Sequence, residues 1–563
     1  MGFRRPTWVA GRSAQAFLVA VLVSGLTAQV SELRPQVGVP EDWTHHRIKF
    51  NTATLHQHPE LAVREPRAAT QLYREAFAQA RAMLNSASPV SQFASTSSTA
   101  PHRDWSVALG TGRIQFGQFP AKWNSDPTLP VSLANCTTDY VIYALNVTGA
   151  TGGQPSIVGL NNLYASATGN PLCGGAQPNF LFTYNTTTIA NGKILTSPVL
   201  SLDGKKVAFV ETSNTPGTLN SVFHVLKIPT SGTHATANPS TAVPLGAMTT
   251  TALAASTNGR SSPWVDYTTD TAYVGLNNGR LYKITGVFKG IPTLVTTAPW
   301  PLTINANSTL TSPVLDPATG NVFLGAGNGR LYSVNVNTPG PVTPIQIGRT
   351  GSQNPAIYDS VIFDATGKTL FAITSNDSVS NRAAVVQVDT SSFAVLARVP
   401  VGEGSPAGTN VNLYDGDFDN NYFNSAATGH MLVCGTGAAD TTPYRYLLGF
   451  NVSGVLQPGS SVQLSGAGNA RCGPVTEYFN NNIGGGTDFF FWSVTRNCSG
   501  FGNNGCVMAL ANGSTLTSAQ ANGGTSGIII DNNYVTKDGG SSIYFSTEAA
   551  PLNAVKLTQQ GLQ

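Results

Sequence analysis

The chain has 563 residues, of which only 10% are charged, against 58 glycines and 34 prolines. A composition so rich in turn formers and so poor in Lys and Glu excludes a protein built from long amphipathic helices and fits a turn-dense all-β protein. Lys+Arg number 31 and Asp+Glu 28, but three of those arginines lie within the first 28 residues. Without them the charges balance, and the basic excess of a nucleic-acid binder is absent.

In chain order, Arg4, Arg5 and Arg12 precede the apolar stretch Ala16–Val23, which runs into Ser24-Gly-Leu-Thr-Ala28. Charge, then apolar residues, then small ones is the order of a secretory signal over residues 1–28. The apolar stretch is short for a bilayer and no comparable one follows, so a secreted or periplasmic chain without a membrane span is expected. Residues 29–60 are polar and irregular, with His45, His46, His56 and His58 lacking any spacing that would converge them on a metal; they read as surface histidines. From Pro66 a helix is expected, because Leu72, Ala76, Phe77, Ala80, Met83 and Leu84 recur at helical spacing. Arg67, Arg74 and Arg81 fall on one side of it and read as a solvated basic face. Ser/Thr-rich residues Asn85 to Ala100 read as a linker, so residues 29–100 form an extension ahead of a β domain at 101–563.

Beyond Trp105 the texture changes to short β-rich runs that repeat. Ser197-Pro-Val-Leu, Ser262-Pro-Trp-Val and Ser312-Pro-Val-Leu each open a strand, turn and second strand. Gly275-Leu-Asn-Asn-Gly-Arg-Leu-Tyr282 and Gly325-Ala-Gly-Asn-Gly-Arg-Leu-Tyr332 then mark a hairpin into a third strand; Asn-Gly suggests a turn with positive φ at both positions. With a looser fourth strand, each unit is one blade of a β-propeller. First strands fall near Phe119, Ser197, Ser262, Ser312, Asp359, Leu413, Gly473 and Ser526, which predicts eight blades, with seven as the alternative count. The last unit is one strand short, and Trp105–Leu109 can supply it, closing the ring.

These repeats resemble those of exported bacterial quinoprotein-like and YVTN-type propellers over residues 105–563. Asp42-Trp-Thr-His-His, Phe119-Pro-Ala-Lys-Trp and Leu413-Tyr-Asp-Gly-Asp-Phe-Asp also look like a group of secreted bacterial propellers of no defined activity. The resemblance implies the ring and no chemistry. Quinone-dependent dehydrogenases of this type imply a vicinal disulfide beside the cofactor, and no two cysteines here are adjacent.

Six cysteines, Cys136, Cys173, Cys434, Cys472, Cys498 and Cys506, permit 15 pairings; none sits in a zinc or haem spacing. In the blade register the simplest pairing is local: Cys136 with Cys173, Cys434 with Cys472 and Cys498 with Cys506. Asp415, Asp417 and Asp419 alternate as a calcium loop begins, but position twelve is Ala426, and Asn480-Asn-Asn482 and Asp531-Asn-Asn533 suggest a repeated Asx-rich turn instead. Calcium is therefore a candidate cofactor and the turn its rival. No nucleophile elbow, zinc-protease or phosphate-loop motif is present. The leading expectation is a non-catalytic binding or scaffold propeller for a protein or glycan partner. The alternatives are a polysaccharide lyase or hydrolase, whose scattered site would be invisible in one sequence, and a surface-layer or fibre subunit docking through residues 29–100.

Overall fold

The structure is a computed structural model and describes residues 38–72, 102–126, 134–167, 171–215, 220–229, 248–252, 260–306, 308–349, 357–405, 411–466, 470–480, 486–512, 515–532 and 540–558. The signal-like segment, Arg74, Arg81 and the linker lie outside the described residues.

Eight sheets follow one another along the chain, each starting at its innermost strand and ending at its outermost. They form an eight-bladed β-propeller of four-stranded blades, with the innermost strands around a central channel. Those strands are Ala121–Asn124, Val199–Leu200, Trp264–Asp266, Val314–Asp316, Ile362–Asp364, Asp417–Phe418, Thr476–Asn480 and Ile529–Asp531, for blades 1 to 8. Every one begins within a few residues of its expected position, which excludes the seven-bladed count. The ring closes as expected: His102–Ala108 pairs antiparallel with Asn553–Thr558 and becomes the outer strand of blade 8.

The repeated Ser-Pro has a physical use. Ser197 Oγ accepts the Phe119 N–H at 2.9 Å, Ser262 Oγ accepts that of Ser197 at 2.8 Å, and Ser312 Oγ accepts that of Ser262 at 2.8 Å. Each serine thus satisfies a buried backbone donor of the preceding blade, and the following proline has no N–H to leave unpaired. The hairpin expectation needs one correction. Only the glycines adopt positive φ, Gly279 at 73° and Gly329 at 77°. Asn278 and Asn328 instead accept the N–H of Arg280 and Arg330 through their side chains at 3.1 Å. A Cβ on Gly279 would stand 1.7 Å from the Asn305 carbonyl oxygen, so both φ and space demand glycine there.

Because strands within a blade alternate in direction, connections into the inner strands and the hairpins between second and third strands share one face of the ring. The turns after the inner strands lie on the other. Aspartates end three inner strands on that other face: Asp266, Asp316 and Asp364 accept from the turn N–H groups of Thr268, Ala318 and Thr366 at 2.9–3.0 Å. Blade packs on blade through the apolar faces of the sheets, and the largest core cluster joins blades 2 to 5 with Trp43, Ile48, Phe50 and Leu55. The disulfides are Cys136–Cys173 within blade 1, Cys434–Cys472 between blades 6 and 7, and Cys498–Cys506 at the blade 7 hairpin. No described helix is long and apolar enough to cross a membrane.

Candidate functional site

The N-terminal segment enters the channel. Val39–Glu41 pairs antiparallel with the inner strand of blade 1, Val39 opposite Asn124 and Glu41 opposite Lys122, so it climbs away from the aspartate turns. A helical turn, Thr44–Arg47, reverses it, and Ile48–Lys49 returns parallel to the inner strand of blade 5. Helices Thr52–Gln57, Glu60–Arg64 and 66–72 then cover that end. We call residues 38–72 the plug, its side of the ring the plug face, and the opposite side the mouth.

Apolar and ionic contacts both hold it. Trp43, 2% exposed, meets Trp264 edge-on at 6.0 Å, and His46 stacks on Phe119 at 5.2 Å. Arg47, 1% exposed, places Nη2 2.9 Å from Asp359 and Nη1 2.9 Å from Asp415, on the connections into blades 5 and 6. Lys49 Nζ lies 2.7 Å from Asp417. Asp42 accepts from the Leu200 N–H at 3.1 Å; burial works against its charge, but His45 and Arg67 outweigh it and hold the carboxyl below its ordinary value. Burial, helped by Lys49 and Arg47, pushes the His46 imidazole well below its ordinary value. Arg67 is not on a solvated face: it is buried, donates to the Val265 carbonyl and the Glu65 carboxylate at 2.9 Å, and lies over the Trp264 ring. The reason is that helix 66–72 ends the plug and turns this side inward. His45 and His46 likewise leave the surface for plug contacts, whereas His56 and His58 are exposed.

The three aspartates considered for calcium go to three sets of partners. Asp415 faces Arg47, and burial raises its carboxyl well above the ordinary range against that pull. Asp417 faces Lys49 and accepts the Glu477 N–H at 3.0 Å. Asp419 caps the short helix Asn420–Asn424 through the Tyr422 N–H and binds His430 at 2.8 Å. Beside them burial lifts Glu477 well above its ordinary value and Asp488 to about 6. Of the compared Asx turns, Asp531 ends the inner strand of blade 8 and pairs with Lys122 at 2.9 Å. Among the described residues, no three His, Cys, Asp or Glu side chains are grouped to hold a metal ion.

The mouth is built differently. Tyr414 packs edge-on against Phe116 at 5.2 Å and Tyr358 at 5.4 Å. Arg260 lies over the Tyr358 ring at 5.6 Å and donates to its hydroxyl, and Arg471 lies over Phe116 at 5.5 Å. Three rings therefore separate two exposed guanidiniums. Gly117 permits the packing: φ is 85°, and a Cβ would stand 1.9 Å from the Tyr414 ring. Beside Phe116, Arg113 Nε lies 3.1 Å from the buried Glu548 carboxylate. Burial pushes Glu548 up to about 8 against the pull of Arg113 and Arg471. The cluster can donate hydrogen bonds and positive charge to a ligand, and Tyr358 offers a partly exposed ring.

Sequence reasoning missed Arg47, Asp359 and the whole mouth. No protein-family model and no curated protein matches the chain. Among solved structures, BamB from Moraxella catarrhalis is similar at 13% identity and TM-score 0.40, covering 82% of this chain and 98% of its own. Sqt1 of Chaetomium thermophilum is similar at 12% identity and TM-score 0.41 over the same shares.

Proposed function

We propose that this chain is an exported binding or scaffold propeller that presents its mouth to a protein or glycan partner. The observation that carries the proposal is the asymmetry of the channel: the plug fills it from one face, which leaves the arginine and tyrosine cluster as the exposed chemistry at the axis of the other. Rings of this kind hold a rigid surface on which loops can recognise a partner. Three disulfides in a chain with a signal-like start support an oxidising, extracytoplasmic compartment. The described part of the segment assigned to docking in a fibre is engaged within its own ring.

The test is a binding screen of the purified chain against arrayed glycans and extracytoplasmic proteins, repeated with Tyr358→Ala/Arg471→Ala. Expected is a ligand bound by the native chain and lost by the variant, with circular dichroism unchanged. Turnover of a polysaccharide, read from unsaturated products or reducing ends and abolished in the variant, would overturn the reading in favour of a lyase or hydrolase.

A further inference from the structure

The near-neutral chain hides an uneven distribution of charge. Arg113, Arg260, Arg349 and Arg471 lie in the connections into blades 1, 3, 5 and 7, all on the mouth side. Arg280, Arg330, Arg382 and Arg496 lie at the hairpins between second and third strands of blades 3, 4, 5 and 7, on the same side. Arg113 is half-exposed and the other seven are exposed.

Acids on this side do little to neutralise them. Asp359 is spent on Arg47, Asp377 on Arg398 and Glu548 on Arg113, while the buried Glu211 is held by His224 and the Thr188 N–H. Among the described residues here, Asp440 is the exposed acid and Glu403 a half-buried one. The plug face differs, mixing its turn aspartates with Lys205, Lys206, Lys227, Lys289 and Lys368. Lys193 is the one described lysine at the mouth edge.

We infer that the mouth binds an anionic polysaccharide, a chain bearing repeated carboxylate or sulfate groups; this rests on the binding reading above and narrows its partner. Guanidiniums present a planar fork that matches both oxyanions in two-point contact, which ammonium groups do not. Their distribution around a ring suits a chain carrying charge at every repeat, since a single small anion would engage only one or two of them. A folded protein partner is disfavoured because the fully buried core of such an interface is depleted in charge, whereas eight arginines lie on this side. Of the exposed large apolar side chains, Val379 is on this side, in the same hairpin as Arg382, and none belongs to the arginine and tyrosine cluster.

The experiment is biolayer interferometry of the full exported chain against immobilised polygalacturonate, heparin, dextran, poly-glutamate and a DNA duplex. Expected is binding to polygalacturonate or heparin that weakens as NaCl is raised, because exposed charges are screened. The two arms separate carboxylate from sulfate preference. Arg260→Gln/Arg349→Gln/Arg471→Gln is expected to lose about tenfold or more in affinity, an order-of-magnitude figure for removing three charge-assisted contacts. Lys205→Gln/Lys227→Gln on the plug face should bind as the native chain does. Equal loss in both variants, preference for poly-glutamate or DNA, or no binding to either acidic glycan would overturn the inference. Dextran bound through the mouth would sink the anionic class and leave the binding reading standing; no mouth-dependent ligand in any screen would remove both.

Discussion

The plug and the mouth use the same residue types to opposite effect. At the plug, Arg47 and Lys49 are enclosed and matched against Asp359, Asp415 and Asp417. At the mouth, Arg260 and Arg471 rest on aromatic faces and stay exposed. Charge in the plug has been consumed in holding the chain together, and charge at the mouth has been kept available. A buried cation is thus a statement about architecture, whereas an exposed one laid over a ring is a statement about what comes to meet it.

The largest test of this contrast is Arg47→Ala. It strands two buried carboxylates, and losing one partner of a buried pair costs about 3–5 kcal/mol, so a loss near the top of that range is expected in urea unfolding. A cost below about 1 kcal/mol would mean that the plug is not ionically held.

Next in size is a pH effect at the mouth. Glu548 has its carboxyl raised to about 8, so between its ordinary value and that one the folded chain binds a proton that the unfolded chain does not. Stability should therefore fall as pH rises from about 5 to 8, by up to about 4 kcal/mol from this group, and Glu548→Gln should flatten that slope. His46 acts in the other direction: its depressed value makes stability fall as pH drops below about 6.5, where the unfolded imidazole takes a proton. Melting curves across pH 4 to 9 read both limbs; an unchanged slope in Glu548→Gln would break the assignment.

Third, Cys498→Ser/Cys506→Ser opens a short loop on the mouth side and should cost about 2–3 kcal/mol by loop-closure entropy, read by thermal unfolding. Smallest is Arg260→Gln/Arg471→Gln, for which a stability change within about 0.5 kcal/mol is expected beside the loss of ligand. A large destabilisation would show that the mouth arginines are architectural after all.

The ring was legible because its signals are local. Ser-Pro before an apolar pair recurs in blades 2 to 4 and Asn-Gly before Arg-Leu-Tyr in blades 3 and 4, and the missing strand of the last blade had one obvious donor in Trp105–Leu109. The plug was not legible, since Arg47 meets Asp359 across 312 residues and residues 38–50 carry no periodicity to announce a channel-filling segment. The same distance misplaced Arg67 and His46 on a surface. Arg280 and Arg330 were in plain view within their turn sequences; what hid them as a surface was that each explained a hairpin, and only the alternation of strand direction puts every such hairpin on one side.

Closure of the ring by His102–Ala108 has a kinetic side. The outer strand of blade 8 pairs with Asn553–Thr558 across the rest of the ring, Ser106 bonding Asn553 over 447 residues. Blade 8 cannot be completed until both strands have been made, so the earlier one stays unpaired while the blades between them are synthesised. Pairings this far apart in sequence form slowly. Until they form, the chain carries an open β edge, which makes the interval before closure the stage at which this protein is most exposed to aggregation.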